Sequence, residues 1–180
     1  VPFLLHDTEL DRTTPERGVA SERAWRELSR IDAGGWHSRA YAGEPLPSLQ
    51  RIAAFLQANQ FALDLEIKPT PGDEERTGRL VATEVARLWA GQAQVPLLSS
   101  FQPDALQGAM QTAPQLPRAL LVDTNWPGWF EVAQRLACVA VITNHKLMDG
   151  ALIAQLRSIA SASAASSRAS NRGMCSCSQR

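Results

Sequence analysis

The sequence predicts a parallel α/β domain whose sheet belongs to a barrel, and three observations carry that reading. Short apolar runs alternate five times with amphipathic helical runs, the pattern of repeated β-α units. No glycine-rich phosphate fingerprint follows the first apolar run, which disfavours an open dinucleotide-binding sheet. One strand, residues 61–67, places charged side chains on its second face. Parallel strands are normally covered on both faces, so those charges suit a barrel interior or mouth.

The elements follow in order. Residues 1–5 are apolar, end at His6-Asp7 and read as a buried strand. Residues 8–47 are irregular, with Gly18, Gly34, Gly35, Gly43, Pro15, Pro45 and Pro47, and read as a long loop or short insertion. Ser48 is a good N-cap for a helix with Leu49, Ile52, Ala53 and Leu56 on one face. After the strand at 61–67 comes a solvated acidic helix start at Asp73, Glu74 and Glu75. Residues 79–89 are helical, with Val81, Val85 and Leu88 in register and Gly91 as the stop.

Residues 95–99 form the next strand, and Pro103 and Asp104 open a helix that runs to Thr112. Strands at 119–122 and 138–142 flank a helix at 129–136. A final helix starts at Asp149 or Gly150 and passes through Ile153, Leu156 and Ile159. Residues 161–180 contain seven Ser and no apolar period. They read either as a disordered Ser/Ala tail or as an out-of-frame terminus.

At 180 residues the chain suits one domain, residues 1–160, with roughly six strands. An eight-fold barrel takes about 250 residues, so this one is expected to be incomplete. Lys plus Arg is 18 and Asp plus Glu is 18, so the formal net charge is zero. That balance gives no electrostatic reason to expect nucleic acid or an anionic membrane as partner. Cys138, Cys175 and Cys177 suggest neither a disulfide framework nor a zinc site, which favours a reducing compartment. No apolar run approaches the ~20 residues of a membrane span. Residues 1–5 lack the marks of a signal peptide.

The chemistry concentrates at strand ends. In the strand at 61–67, alternation puts Phe61, Leu63, Leu65 and Ile67 on one face, with Ala62, Asp64, Glu66 and Lys68 on the other. Glu66 and Lys68 fall at the C-terminal end, where barrel active sites are built. A functional role is favoured over structural pairing for Glu66, and both stay open for Asp64. His6 also follows an apolar run directly. A histidine there can move a proton near neutral pH with Asp7 tuning it, although an ordinary loop histidine has the same look.

The stretch Leu5-His6-Asp7-Thr8-Glu9-Leu10-Asp11-Arg12-Thr13-Thr14 resembles a signature of the glycerophosphodiester phosphodiesterases, compact bacterial type. Gly18-Val19, Leu28, Asp32-Ala33-Gly34, Trp36 and Gly43-Glu44-Pro45-Leu46-Pro47-Ser48-Leu49 resemble that family's short insertion and its exit. Leu65-Glu66-Ile67-Lys68 and Ser99-Ser100-Phe101 are similar to its later strand ends. The likeness runs from Val1 to about Ile159.

The resemblance implies a (β/α)₈ TIM-type barrel that hydrolyses glycerophosphodiesters, such as deacylated phospholipid head groups, to glycerol 3-phosphate and an alcohol. It implies a divalent cation, Mg²⁺ or Ca²⁺, with His6 as a catalytic histidine and Glu66 as a metal ligand. Lys68 becomes a positive group near the phosphate, and Phe101 an apolar wall to the substrate or else a core residue. The chain departs from the family pattern by lacking a His-Arg-Gly strand end, a Glu-x-Asp strand and the last two barrel strands. The fragment is therefore expected to be inactive alone while its parent is an enzyme.

A phospholipase D-like cyclising lyase and a non-catalytic relative binding a phosphorylated ligand remain alternatives. The short insertion suggests a cytoplasmic protein. His37 reads as a surface group, Asn144-His145 as a loop with some reach to the barrel mouth, and Trp126 and Trp129 as packing.

Overall fold

A computed structural model describes residues 1–150, 152–154 and 156 of the chain. Four strands form one parallel sheet: β1 (Asp64–Glu66), β2 (Leu97–Ser100), β3 (Arg118–Val122) and β4 (Ala140–Thr143). Their spatial order is their chain order. Helices α1 (Trp25–Leu28) and α2 (Leu49–Ala58) precede the sheet, and α3 (Glu74–Leu88), α4 (Pro103–Thr112) and α5 (Trp129–Arg135) fill its connections. A doubly wound sheet reverses its strand order at a switch point and carries helices on both faces. Here the described strands step one way. Leu65, Leu98, Leu120 and Val122 all point into clusters shared with the helices. The sheet is an arc of an incomplete barrel, as the sequence predicts.

Register fixes which side chains share the opposite, concave face. Glu66 pairs with Ser99, Ser99 with Ala119, and Ala119 with Ala140. Of these, Glu66 and Asp64 on β1 are exposed, whereas Ser99 is buried and bonds Asp64 Oδ1 at 2.7 Å through its hydroxyl. The apolar face of the predicted strand also behaves as expected for Leu63, Leu65 and Ile67, which pack against the helices. Phe61 differs. It is 56% exposed and meets Phe55 edge-on, because ladder pairing with β2 begins only at Asp64.

Local chemistry explains the helix ends. The Ser48 hydroxyl accepts the Arg51 N–H at 3.2 Å and starts α2, whose Leu49 and Ala53 are buried. Pro103 opens α4 at its first turn, where the missing N–H costs nothing. α3 begins at Glu74, earlier than the apolar period indicates. Its first turn is polar and leaves no mark in an apolar pattern.

α3 and α4 cross at two glycines. A Cβ on Gly78 would lie 1.9 Å from the Ala105 carbonyl oxygen, and one on Gly108 would lie 2.1 Å from that of Glu75. Only glycine lets the two backbones approach so closely.

Residues 1–5 do not join the sheet, contrary to expectation. Phe3 makes an isolated antiparallel bridge to Ser48. On either side, Leu4 N–H donates to Pro47 O and Leu49 N–H to Pro2 O, both at 3.0 Å. The reason is that residues 8–47 have a small core of their own. Leu10, Ala20, Leu28, Ile31 and Leu46 are buried together, and Phe3 and Leu5 pack against them. Phe3 stacks on Trp25 with centroids 5.8 Å apart. An apolar run announces burial without naming the partner that buries it.

At the other end, the start of the last predicted helix is present, with the Leu152 N–H capped by Asp149 Oδ1 at 2.8 Å. Its continuation to Ile159 and the tail at 161–180 lie outside the described residues.

Candidate active site

The C-terminal ends of β1 and β2 open into a cavity of about 390 Å³. Glu66 ends β1, Lys68 follows two residues later, and Phe101 follows the last residue of β2. His6 arrives from the start of the chain, 62 residues before Lys68, and the two are tied directly: Lys68 Nζ donates to the His6 carbonyl at 2.9 Å. All four predicted site residues, His6, Glu66, Lys68 and Phe101, line this one cavity. Phe101 is 46% exposed there, so it is a wall of the cavity and not a core residue.

The charges in the cavity are close but loosely paired. Lys68 Nζ lies 3.9 Å from Glu66 Oε1 and 3.5 Å from His6 Nε2. Ion pairs this exposed add little to stability. On the other edge of the imidazole, His6 Nδ1 lies 2.6 Å from Asp7 Oδ1. Arg12 grips the same carboxylate twice, Nε to Oδ2 at 2.5 Å and Nη2 to Oδ1 at 3.0 Å. The Arg12 guanidinium first, and His6 second, hold the Asp7 carboxyl well below the usual carboxylate range.

Two residues at the site lie within the quoted motifs, but the sequence assigns neither a role. Ser100, buried at the end of β2, donates its hydroxyl to Ile67 O at 2.7 Å and accepts Gln102 N–H at 3.1 Å. It ties the two strand ends that form the cavity rim. Arg12 is visible within the motif, but its grip on Asp7 depends on how the insertion turns.

Other candidates fall away from the cavity. Asp64 is engaged by Ser99, which favours the structural alternative for it. His37 stands edge-on between Trp36 and Tyr41 in the insertion. His145 lies in a 3₁₀ turn (His145–Leu147) capped by the Asn144 side chain. Trp129 is buried and donates its indole N–H to Asn125 Oδ1 at 3.0 Å, a packing role. Among the described residues, no group of three or more His, Cys, Asp or Glu side chains gathers as a metal site would require.

Comparison with known proteins places this geometry. The model of the Glycerophosphoryl diester phosphodiesterase family matches residues 1–168. The chain belongs to this family. YhdW of Bacillus subtilis is 29% identical over 129 residues, which is 68% of this chain and 49% of that protein. A glycerophosphodiester phosphodiesterase of Caldanaerobacter subterraneus is 28% identical over 122 residues, covering 66% of this chain and 48% of its own. The chain thus spans about half the length of these curated relatives. Among solved structures, a phosphodiesterase of Oleispira antarctica in complex with the product sn-glycerol 3-phosphate superposes with a TM-score of 0.77. That match is 26% identical and covers 87% of this chain and 63% of the other. Family membership and the barrel-type arc therefore agree.

Proposed function

We propose that the chain forms the phosphate-facing part of a phosphoric diester hydrolase, one that cleaves glycerophosphodiesters to glycerol 3-phosphate and an alcohol. The observation that carries this reading is the convergence of His6, Glu66, Lys68 and Phe101 on one open cavity at the strand ends. The family match, and a similar solved phosphodiesterase holding glycerol 3-phosphate, support it.

In this reading the Lys68 ammonium attracts a phosphate oxygen, and its 3.9 Å separation from Glu66 leaves room for the exchange. His6 moves the proton: its Nε2 either takes one from the nucleophile or returns one to the departing alkoxide. Phe101 covers the apolar edge of the glycerol or alcohol group.

Glu66 is the carboxylate assigned to a divalent cation, Mg²⁺ or Ca²⁺, whose chemistry would be to polarise phosphate oxygens. Such ions take six or more oxygen ligands, whereas the cavity offers two carboxylates, Glu66 with an ammonium beside it and Asp7 gripped by Arg12. These residues do not by themselves compose a cation site. The 180-residue chain is accordingly proposed to bind the phosphate ester without sustained turnover. A cytoplasmic setting belongs to the same proposal and rests on the short insertion. Among the described residues, no helix is long and apolar enough to cross a membrane.

Titration of glycerol 3-phosphate into the ¹⁵N-labelled chain tests the binding. Amide shifts at His6, Lys68 and Phe101, abolished by Lys68→Ala, are the expected result. Shifts confined to other regions, or unaltered in the variant, would sink the proposal. A parallel assay with glycerophosphocholine and Mg²⁺ or Ca²⁺ should show no sustained hydrolysis. Robust turnover there would overturn the inactivity of the isolated chain.

A further inference from the structure

The orientation of His6 is set from the insertion, outside the sheet. A carboxylate gripped by a forked guanidinium stays ionised, and the Asp7 carboxyl is held that way by Arg12. An ionised carboxylate is an acceptor only, so the hydrogen in the 2.6 Å contact between His6 Nδ1 and Asp7 Oδ1 resides on the imidazole. In the neutral ring, Nε2 is then the nitrogen with the free lone pair. Its nearest charged neighbour agrees. Lys68 Nζ stands 3.5 Å from Nε2, and an ammonium, having donors only, favours an acceptor in that place. Two groups on opposite edges of one ring impose the same tautomer.

Arg12 has support of its own. Its guanidinium carbon lies 5.8 Å from the centroid of the Trp36 ring, within cation–π range. Trp36 is anchored by its indole N–H to Ala33 O at 2.9 Å. The turn carrying it is held by Asp32 Oδ1, which accepts the N–H groups of Gly34 and Gly35 at 2.9 Å each. From the tryptophan to the imidazole, every link is a named contact within residues 6–36.

We propose that Arg12 is a positioning residue for His6. It acts through Asp7, is backed by Trp36, and fixes the Nδ1–H tautomer so that Nε2 faces the cavity ready to take a proton. This rests on the reading of His6 as the proton-moving group, and it gives the insertion a part in the chemistry. The pairing is exposed, so its contribution to stability is small. Its effect is on which nitrogen of the ring carries hydrogen.

The test reads the tautomer itself, by long-range ¹H–¹⁵N correlation of the imidazoles in the full chain at a pH where they are neutral. Three histidines are present, and His6→Gln assigns the signal. The Nδ1–H form is expected to predominate for His6. Arg12→Gln should move the ratio toward Nε2–H roughly two- to fivefold, the weight of an exposed ion pair. Arg12→Lys keeps the charge without the fork and should fall between. Trp36→Leu should shift the ratio the same way by less.

Asp7→Asn leaves the guanidinium in place, and it carries the test should Arg12→Gln not fold. A predominant Nε2–H form in the unaltered chain would overturn the proposal. So would ratios unmoved by Arg12→Gln, or by Asp7→Asn in its stead. No turnover is needed, so a failed hydrolysis assay and a failed tautomer prediction remain distinguishable.

Discussion

At the N-terminal edge of the sheet Arg118 is buried, while at the C-terminal edge Lys68 keeps 41% of its side chain exposed. Arg118 is satisfied by carbonyl oxygens: Nε donates to Leu136 at 3.0 Å, and Nη1 to Pro114 at 3.1 Å and Leu116 at 2.6 Å. These bonds tie the loops before β3 and β4 together, and burial lowers the arginine's pKa from its ordinary value. Cys138 nearby is 3% exposed, and burial pushes its thiol up to about 11. Lys68 makes one firm bond, to the His6 carbonyl, and otherwise faces loosely placed partners. One edge uses a charge to hold backbone, and the other leaves charges available. The division follows barrel logic, in which the ends before the strands serve stability and the ends after them serve chemistry.

That contrast is sharpest in stability measurements. Arg118→Leu should be the most damaging change, costing about 3 kcal/mol or more, because several buried carbonyls lose their donors together. Urea unfolding reads it as a fall in midpoint at unchanged slope. A mild loss, under about 1 kcal/mol, would mean that water replaces the guanidinium and the edge is not closed.

The thiol offers a pH test of the same edge. The unfolded Cys138 ionises near 9 and the folded one near 11, so above pH 9 the unfolded state loses protons that the folded state keeps. Stability from this group is complete below pH 9 and is lost as the pH climbs toward 11. The loss is on the order of 2 kcal/mol. Comparing the alkaline limb of stability in the native chain and in Cys138→Ala isolates it. Superimposable limbs would contradict the buried thiol.

Next in size is Ser100→Ala at the opposite edge. Removing the hydroxyl that bonds Ile67 O and Gln102 N–H should cost about 1 kcal/mol and also weaken glycerol 3-phosphate binding. A change in stability with unaltered binding would show that the rim is not part of the cavity's function. The smallest expected effect is that of Lys68→Ala, within about 0.5 kcal/mol in unfolding, yet with binding lost. A large destabilisation by that variant would erase the distinction between the two edges.

How much of this was legible beforehand varies with the kind of signal. Ser48 as a cap and Pro103 as a helix start are local devices, and both work as the sequence predicts. The two-residue period that sends Leu65 toward the helices and Glu66 to the opposite, concave face is equally local. The four candidate site residues are readable from strand ends and motif likeness, and the structure brings all four to one cavity. Residues 1–5 read as a strand but do not join the sheet, because an apolar run can be buried by any apolar partner, and the insertion's small core claims Phe3 and Leu5.

The sequence by itself determined the order of α/β units, the turn and cap chemistry and the identity of the charged strand ends, since each depends on neighbours a few positions away. Only the tertiary structure decided that Arg118 clasps three carbonyls, that Gly78 and Gly108 let α3 and α4 touch, and that Arg12 reaches Asp7 with Trp36 behind it. The Arg118 and glycine contacts join segments far apart in sequence, and the Arg12 contact depends on the turns of an irregular insertion. No periodicity encodes such meetings, because they exist only once packing has brought the segments together.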